Sequence, residues 1–130
     1  MKKKEAACTP AHSECKQSLA AVGDALYVIG GKWKLRIIIA LQEGNKRFNE
    51  LQRTVEGISA RVLSNELKEL EMNGFVKRKV YVKTPVVVEY EITEYSQSLH
   101  EVLDSLRNWG SRHREKIRKE MRKERKAGKG

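Results

Sequence analysis

The chain has 130 residues, with 27 Lys and Arg against 17 Asp and Glu, a formal net charge of +10. That length suits one domain around a single core. No run of about 18 apolar residues occurs, which excludes a membrane-spanning helix. The basic start MKKKEAAC lacks the apolar stretch of a secretory signal, so the cytoplasm is the expected location. An excess of basic charge suggests a polyanionic partner, but its distribution matters more than its sum. Residues 1–4 carry +3 and residues 112–130 carry +7, so the body between them nets zero. Within that body, residues 46–83 hold nine basic and five acidic side chains, a local excess of +4.

Residues 1–17 are polar and aperiodic and are expected to form a loose arm. From Ser18 the pattern is helical, with Leu19, Val22, Leu26 and Ile29 at three- and four-residue steps. Gly30-Gly31 breaks that helix. A second helix follows, with Trp33, Ile37, Ala40 and Leu41 on one face, and Gly44-Asn45 ends it. Phe48, Leu51 and Val55 predict a short third helix. Glu56-Gly57 is a tight turn, and Ser59 is a good N-cap for a fourth helix over 60–72. Leu63, Leu67 and Leu70 are its buried stripe. The period then changes from 3.6 to 2. Val76, Val80 and Val82 predict one strand. Lys83-Thr84-Pro85 predicts a turn, and alternation from Val86 to Ile92 predicts a half-buried second strand. Thr93 can cap a last long helix whose stripe is Leu99, Val102, Leu103, Leu106 and Trp109. Beyond Trp109 only Ile117 and Met121 are apolar, so the helix is expected to leave the core or fray there.

The predicted fold is α+β and mostly α: a winged helix-turn-helix with long terminal helices, its domain at 18–111 and a basic extension at 112–130. The unit from Phe48 to Met72 fits a helix-turn-helix, and the hairpin after it fits a wing. In such a unit the second helix can enter the major groove of double-stranded DNA. Arg61, Ser64, Asn65 and Lys68 fall at i, i+3, i+4 and i+7, opposite the leucine stripe. Arg can grip guanine or phosphate, Asn can pair with adenine, Ser suits either, and Lys holds phosphate. Any amphipathic surface helix has a polar face, so the surrounding motif is what turns this one toward DNA. The hairpin adds Lys77, Arg78, Lys79 and Lys83. A basic ribbon can reach phosphates or the minor groove, although Lys also protects exposed strand edges. Lys83 and Thr84 lie closest to the tip. Arg53 is a candidate backbone clamp, with Lys46 and Arg47 weaker ones. Glu66 and Glu69 are read as solubilising flanks.

Three segments, DALYVIGGKWKLRIIIAL, RFNELQRTVEGISARVLSNELKELEMNGFVKRKVY and VEYEITEYSQSLHEVLDSLRNWG, together resemble the bacterial HxlR type of winged-helix regulator, a relative of the MarR group. The resemblance spans about Asp24 to Gly110. It rests on GGKW, RFNEL, GIS-x-x-x-L-x-x-x-L-x-x-L and VEY-x-x-T in that order. It implies a transcription regulator acting as a homodimer built from the first and last helices. The apolar stripes Leu19/Val22/Leu26 and Leu99/Val102/Leu106/Trp109 are the faces available for it. It also implies that Ser59, Arg61, Ser64 and Asn65 lie in the recognition helix and Lys83 and Thr84 in the wing. Some members of that family sense oxidants through a cysteine about ten residues ahead of the GG pair. Here Ala20 stands at that position, and the two cysteines are Cys8 and Cys15 in the arm. These are candidates for redox sensing, or inert thiols.

Other classes fit less well. His12, His100 and His113 are scattered and make no catalytic constellation. The cysteine spacing matches no common zinc site, and neither metal nor cofactor is expected. No residue identifies an effector. A winged helix that binds protein rather than DNA is the alternative function. The basic extension has too few apolar residues for a membrane-surface helix, and added affinity for any DNA is the other reading of its charge.

Overall fold

Apolar residues at three- and four-residue steps build the first helix, α1 (His12–Ile29). The structure is a computed structural model that describes residues 12–129. α1 starts six residues earlier than the apolar period indicates, so residues 12–17 are helical rather than a loose arm. Polar straight-chain residues such as Lys16 and Gln17 are good helix formers, and Glu14 suits the positive end of the helix dipole. The remainder of the expected arm, with Cys8, lies outside the described residues.

The elements that follow are α2 (Lys34–Gln42), α3 (Phe48–Thr54), α4 (Ala60–Met72), β1 (Val76–Tyr81) and β2 (Val87–Ile92). After them come a 3₁₀ helix (Glu94–Leu99) and α5 (His100–Lys129). This is a winged helix-turn-helix with a long C-terminal helix. The chain divides into two units, one ending at Ile92 and one beginning at Thr93.

The first unit holds its core between α2, α3, α4 and the hairpin. Ile37, Ile38, Leu41, Leu51, Leu63 and Leu70 are buried there, and Val55, Ile58, Phe75 and Val76 close it at the turns. Each large apolar side chain so buried contributes roughly 1.5–3 kcal/mol. The strands pair antiparallel, with Val76 opposite Ile92 and Tyr81 opposite Val87. The expected alternation of β2 is absent, since all six residues are half-buried and Val86 is exposed before the strand begins. A two-stranded ribbon cannot enclose one face completely. The other edge of β2 is anchored at Tyr90, which exchanges backbone hydrogen bonds of 2.8 and 3.1 Å with Lys46.

In the second unit the Thr93 hydroxyl accepts from the Ser96 N–H at 3.4 Å, so it caps the 3₁₀ helix and not α5 itself. Leu99 and Leu103 are buried, while Val102, Leu106 and Trp109 are exposed. Beyond Trp109 no residue up to Gly128 is buried, so α5 leaves the core as expected, but it does not fray and stays helical to Lys129. Good helix formers dominate there. Pairs one turn apart, Glu115–Arg118 at 3.0 Å and Lys116–Glu120 at 3.7 Å, add support. No described helix is long and apolar enough to cross a membrane.

Candidate nucleic-acid interface

The turn between α3 and α4 is fixed by local chemistry. The α3 entry is held by the Arg47 backbone N–H, which donates to Glu50 Oε1 at 2.8 Å. At its exit Gly57 takes a φ of 89°, a left-handed angle that any Cβ would disfavour. Gln52 Nε2 donates to the Ile58 carbonyl at 3.4 Å and ties the turn back to α3. Ser59 Oγ then accepts from the Val62 N–H at 3.2 Å, the expected N-cap.

That cap sets the rotation of α4. Leu63, Leu67 and Leu70 point into the core. Ser59, Arg61, Asn65 and Lys68 are exposed, and Ser64 is half-exposed beside them. Arg61, Ser64, Asn65 and Lys68 therefore share the outer side, as their spacing predicts, and Ser59 stands before them at the N-cap. Arg53 is exposed on α3.

Glu66 and Glu69 differ from their expected role as solubilising flanks. Lys34, the first residue of α2, reaches both carboxylates at 2.7 Å. Its residue is only 8% exposed, and among the described residues it is the one buried charged side chain. Burial alone would push its pKa down, but the hydrogen bonds and charges of Glu66 and Glu69 outweigh this and raise it above 10.5. Lys34 stays charged and offsets one of the two negative charges on that flank of α4. Sequence reasoning missed it because a lysine beside Trp33 reads as an exposed residue. The available signal was its place three residues before Ile37, on the apolar face.

The hairpin distributes its charge differently. Directly opposite residues share a face in an antiparallel pair. Lys77 faces Glu91 and Lys79 faces Glu89. Lys79 Nζ also lies 3.2 Å from Glu91, and this hydrogen bond is the main cause of its raised pKa. Asn45 Nδ2 donates to the same Glu91 carboxylate at 3.1 Å. The basic face of the ribbon is thus balanced by its own acids. Lys83 lies beyond them, near the tip, with its ammonium 5.6 Å from the Tyr81 ring centroid. Thr84 is exposed next to it. On α3's approach, Lys46 pairs with Glu43 at 3.2 Å, while Arg47 is exposed.

The candidate dimer residues fall into two groups. Leu19, Val22 and Leu26 are 69%, 56% and 62% exposed on one side of α1. Cys15, a free and exposed thiol, lies on that same side of the helix. Val102, Leu106 and Trp109 are the exposed part of the second stripe, with Trp109 stacked on His113 at 5.0 Å between centroids. Leu99 departs from the expectation. It lies in the 3₁₀ helix and is buried within its own chain, so it has little surface left to offer a partner. Among the described residues no group of His, Cys, Asp and Glu could hold a metal ion.

A capped second helix with an outward Arg, Asn, Ser and Lys face, followed by a two-stranded wing, defines a DNA-binding winged helix-turn-helix regulator. The family model described as "HxlR-like helix-turn-helix" matches residues 28–118. The HTH-type transcriptional regulator YtcD of Bacillus subtilis is 44% identical over 100 residues, covering 77% of this chain and 79% of that protein. A regulator from Methanothermobacter thermautotrophicus is 41% identical over 92 residues, covering 71% and 70%. Among solved structures, ytcD aligns with a TM-score of 0.68 at 46% identity, covering 71% of this chain and 94% of that one. The redox regulator HypR in its reduced form aligns with 0.68 at 40% identity, covering 72% and 93%. This chain belongs to the HxlR family of transcription regulators.

Proposed function

We propose that the protein is a sequence-specific DNA-binding regulator that acts as a homodimer. Helix α4 enters the major groove with Ser59, Arg61, Ser64, Asn65 and Lys68. Arg61 and Asn65 read base edges, and Lys68 and the Ser59 end hold phosphate. The observation that carries this reading is the outer face of α4, where donors and cations are exposed while Lys34 holds Glu66 and Glu69. Glu71 remains exposed, but it sits on the last turn, away from the N-terminal end that approaches bases in such motifs. Arg53 clamps the backbone from α3. Lys83 and Thr84 place the wing on the backbone or in the minor groove, and Lys77 and Lys79 contribute less because Glu91 and Glu89 offset them. The exposed stripes of α1 and α5 close a two-fold dimer, which would present two α4 helices to half-sites roughly 34 Å apart.

The test is a titration of the duplex upstream of the gene at two salt concentrations, for wild type and for the Arg61→Ala, Asn65→Ala double variant. Wild type is expected to bind tightly against competitor DNA and to weaken steeply with salt. The double variant is expected to lose the preference over random sequence. A folded variant that keeps the preference contradicts recognition through α4, and a wild type without salt dependence favours a protein-binding winged helix.

A further inference from the structure

The final turns of α5 lie mostly outside the region shared with the family, whose match ends at residue 118. They are nonetheless helical, and their side chains are sorted by face. At about 100° per residue, the nine Lys and Arg between Arg112 and Lys126 fall on one arc of roughly 200°, with Glu115 the sole acid on it. The opposite arc carries His113, Ile117, Met121, Glu120 and Glu124. All nine basic residues are exposed. Lys116 and Arg118 are partly satisfied by Glu120 and Glu115. No ion pair holds Lys119, Arg122, Lys123 or Lys126 among the described residues.

We propose that this basic face of α5 is a second DNA-contacting surface, which grips backbone phosphates without regard to sequence. Favourable interaction with the helix dipole explains cations only in the last turn, and solubility does not require their sorting onto one side. The arc is about 22 Å long, at 1.5 Å per residue, which matches about six base pairs of axial rise along a duplex. Ordered on a helix, these cations meet the phosphates they reach with less entropic cost than a disordered tail would. A lipid surface is the poorer fit, because Ile117 and Met121 share their arc with Glu120 and Glu124 and leave no greasy face to insert. The surface uses none of the α4 residues, although its partner is the same polymer.

The test compares the full-length protein with the Lys119→Gln, Arg122→Gln, Lys123→Gln, Lys126→Gln variant, whose helicity is checked by circular dichroism. Binding to the upstream duplex and to a random duplex is followed across salt concentration, and the Arg61→Ala, Asn65→Ala variant is run alongside. The basic-face variant should weaken on both duplexes by the same factor and keep the ratio between them. Its slope of log affinity against log salt should fall by roughly one for each phosphate no longer gripped. The α4 variant should instead lose the ratio, so failure of either surface is seen separately. Unchanged affinity and slope on both duplexes would overturn the proposal, as would a loss confined to one duplex. Pelleting with vesicles of phosphatidylglycerol that the substitutions abolish, with DNA binding untouched, would overturn it in favour of a membrane.

Discussion

Helix α4 and the β1–β2 hairpin both carry cations beside acids, yet they present them differently. In α4 the acids Glu66 and Glu69 are drawn to Lys34 on α2, so Arg61 and Lys68 face solvent on the other side of the helix. In the hairpin, Glu89 and Glu91 lie on the same face as Lys77 and Lys79 and hold part of their charge. A helix can separate charges around its whole circumference, whereas a ribbon has only two faces. The charge free to meet a polyanion is therefore set by register, not by how many lysines a segment contains.

Removing Lys34 should break this contrast most severely. Lys34→Met leaves two carboxylates without their buried partner and should cost about 2 kcal/mol in urea unfolding, between the values for exposed and buried pairs. Because folding raises the Lys34 pKa, its contribution is fully present below the unfolded value near 10.5 and is lost as pH rises through the higher folded value. The stability gap between wild type and variant should therefore be flat at neutral pH and narrow only in strong alkali. A gap that closes below about pH 9 would contradict the pairing. The same variant should bind DNA more weakly, since the charge that Lys34 offsets at Glu66 and Glu69 then adds to the negative field beside the outer face of α4.

A smaller effect is expected at the cap. Ser59→Ala removes the acceptor of the Val62 N–H and should cost about 1 kcal/mol in thermal or urea unfolding. Ser59→Asp keeps an acceptor there and should restore the stability, while its charge should lower DNA affinity. If Ser59→Ala is as stable as wild type, the start of α4 is not held as described.

Much of this architecture was legible in the residues. The leucine stripe of α4, the Gly57 turn and the Ser59 cap are local features, and local periodicity and capping chemistry specify them. The outward set Arg61, Ser64, Asn65 and Lys68 followed from the stripe it opposes. What could not be read were pairings across distance. Lys34 and Glu66 are 32 residues apart, and nothing local announces their contact. The Lys79–Glu91 bridge needed the strand register. Leu99 had the right spacing for the last helix but sits in a 3₁₀ turn that buries it within the chain. The ends misled in the opposite direction. An apolar period marks a buried face, so it could report neither the polar first turns of α1 nor the charged last turns of α5, which are helical on propensity and ion pairs.

The most direct test of the central claim sets one residue from each region against the other. Arg61→Ala and Lys79→Ala would each be titrated against the upstream duplex and a panel carrying single base-pair changes. Arg61→Ala should flatten discrimination at one or two positions, a loss of about 1–3 kcal/mol there, while Lys79→Ala should leave the whole pattern intact and shift affinity only slightly. The opposite pattern, with discrimination lost in Lys79→Ala and kept in Arg61→Ala, would show that the hairpin and not α4 reads the sequence.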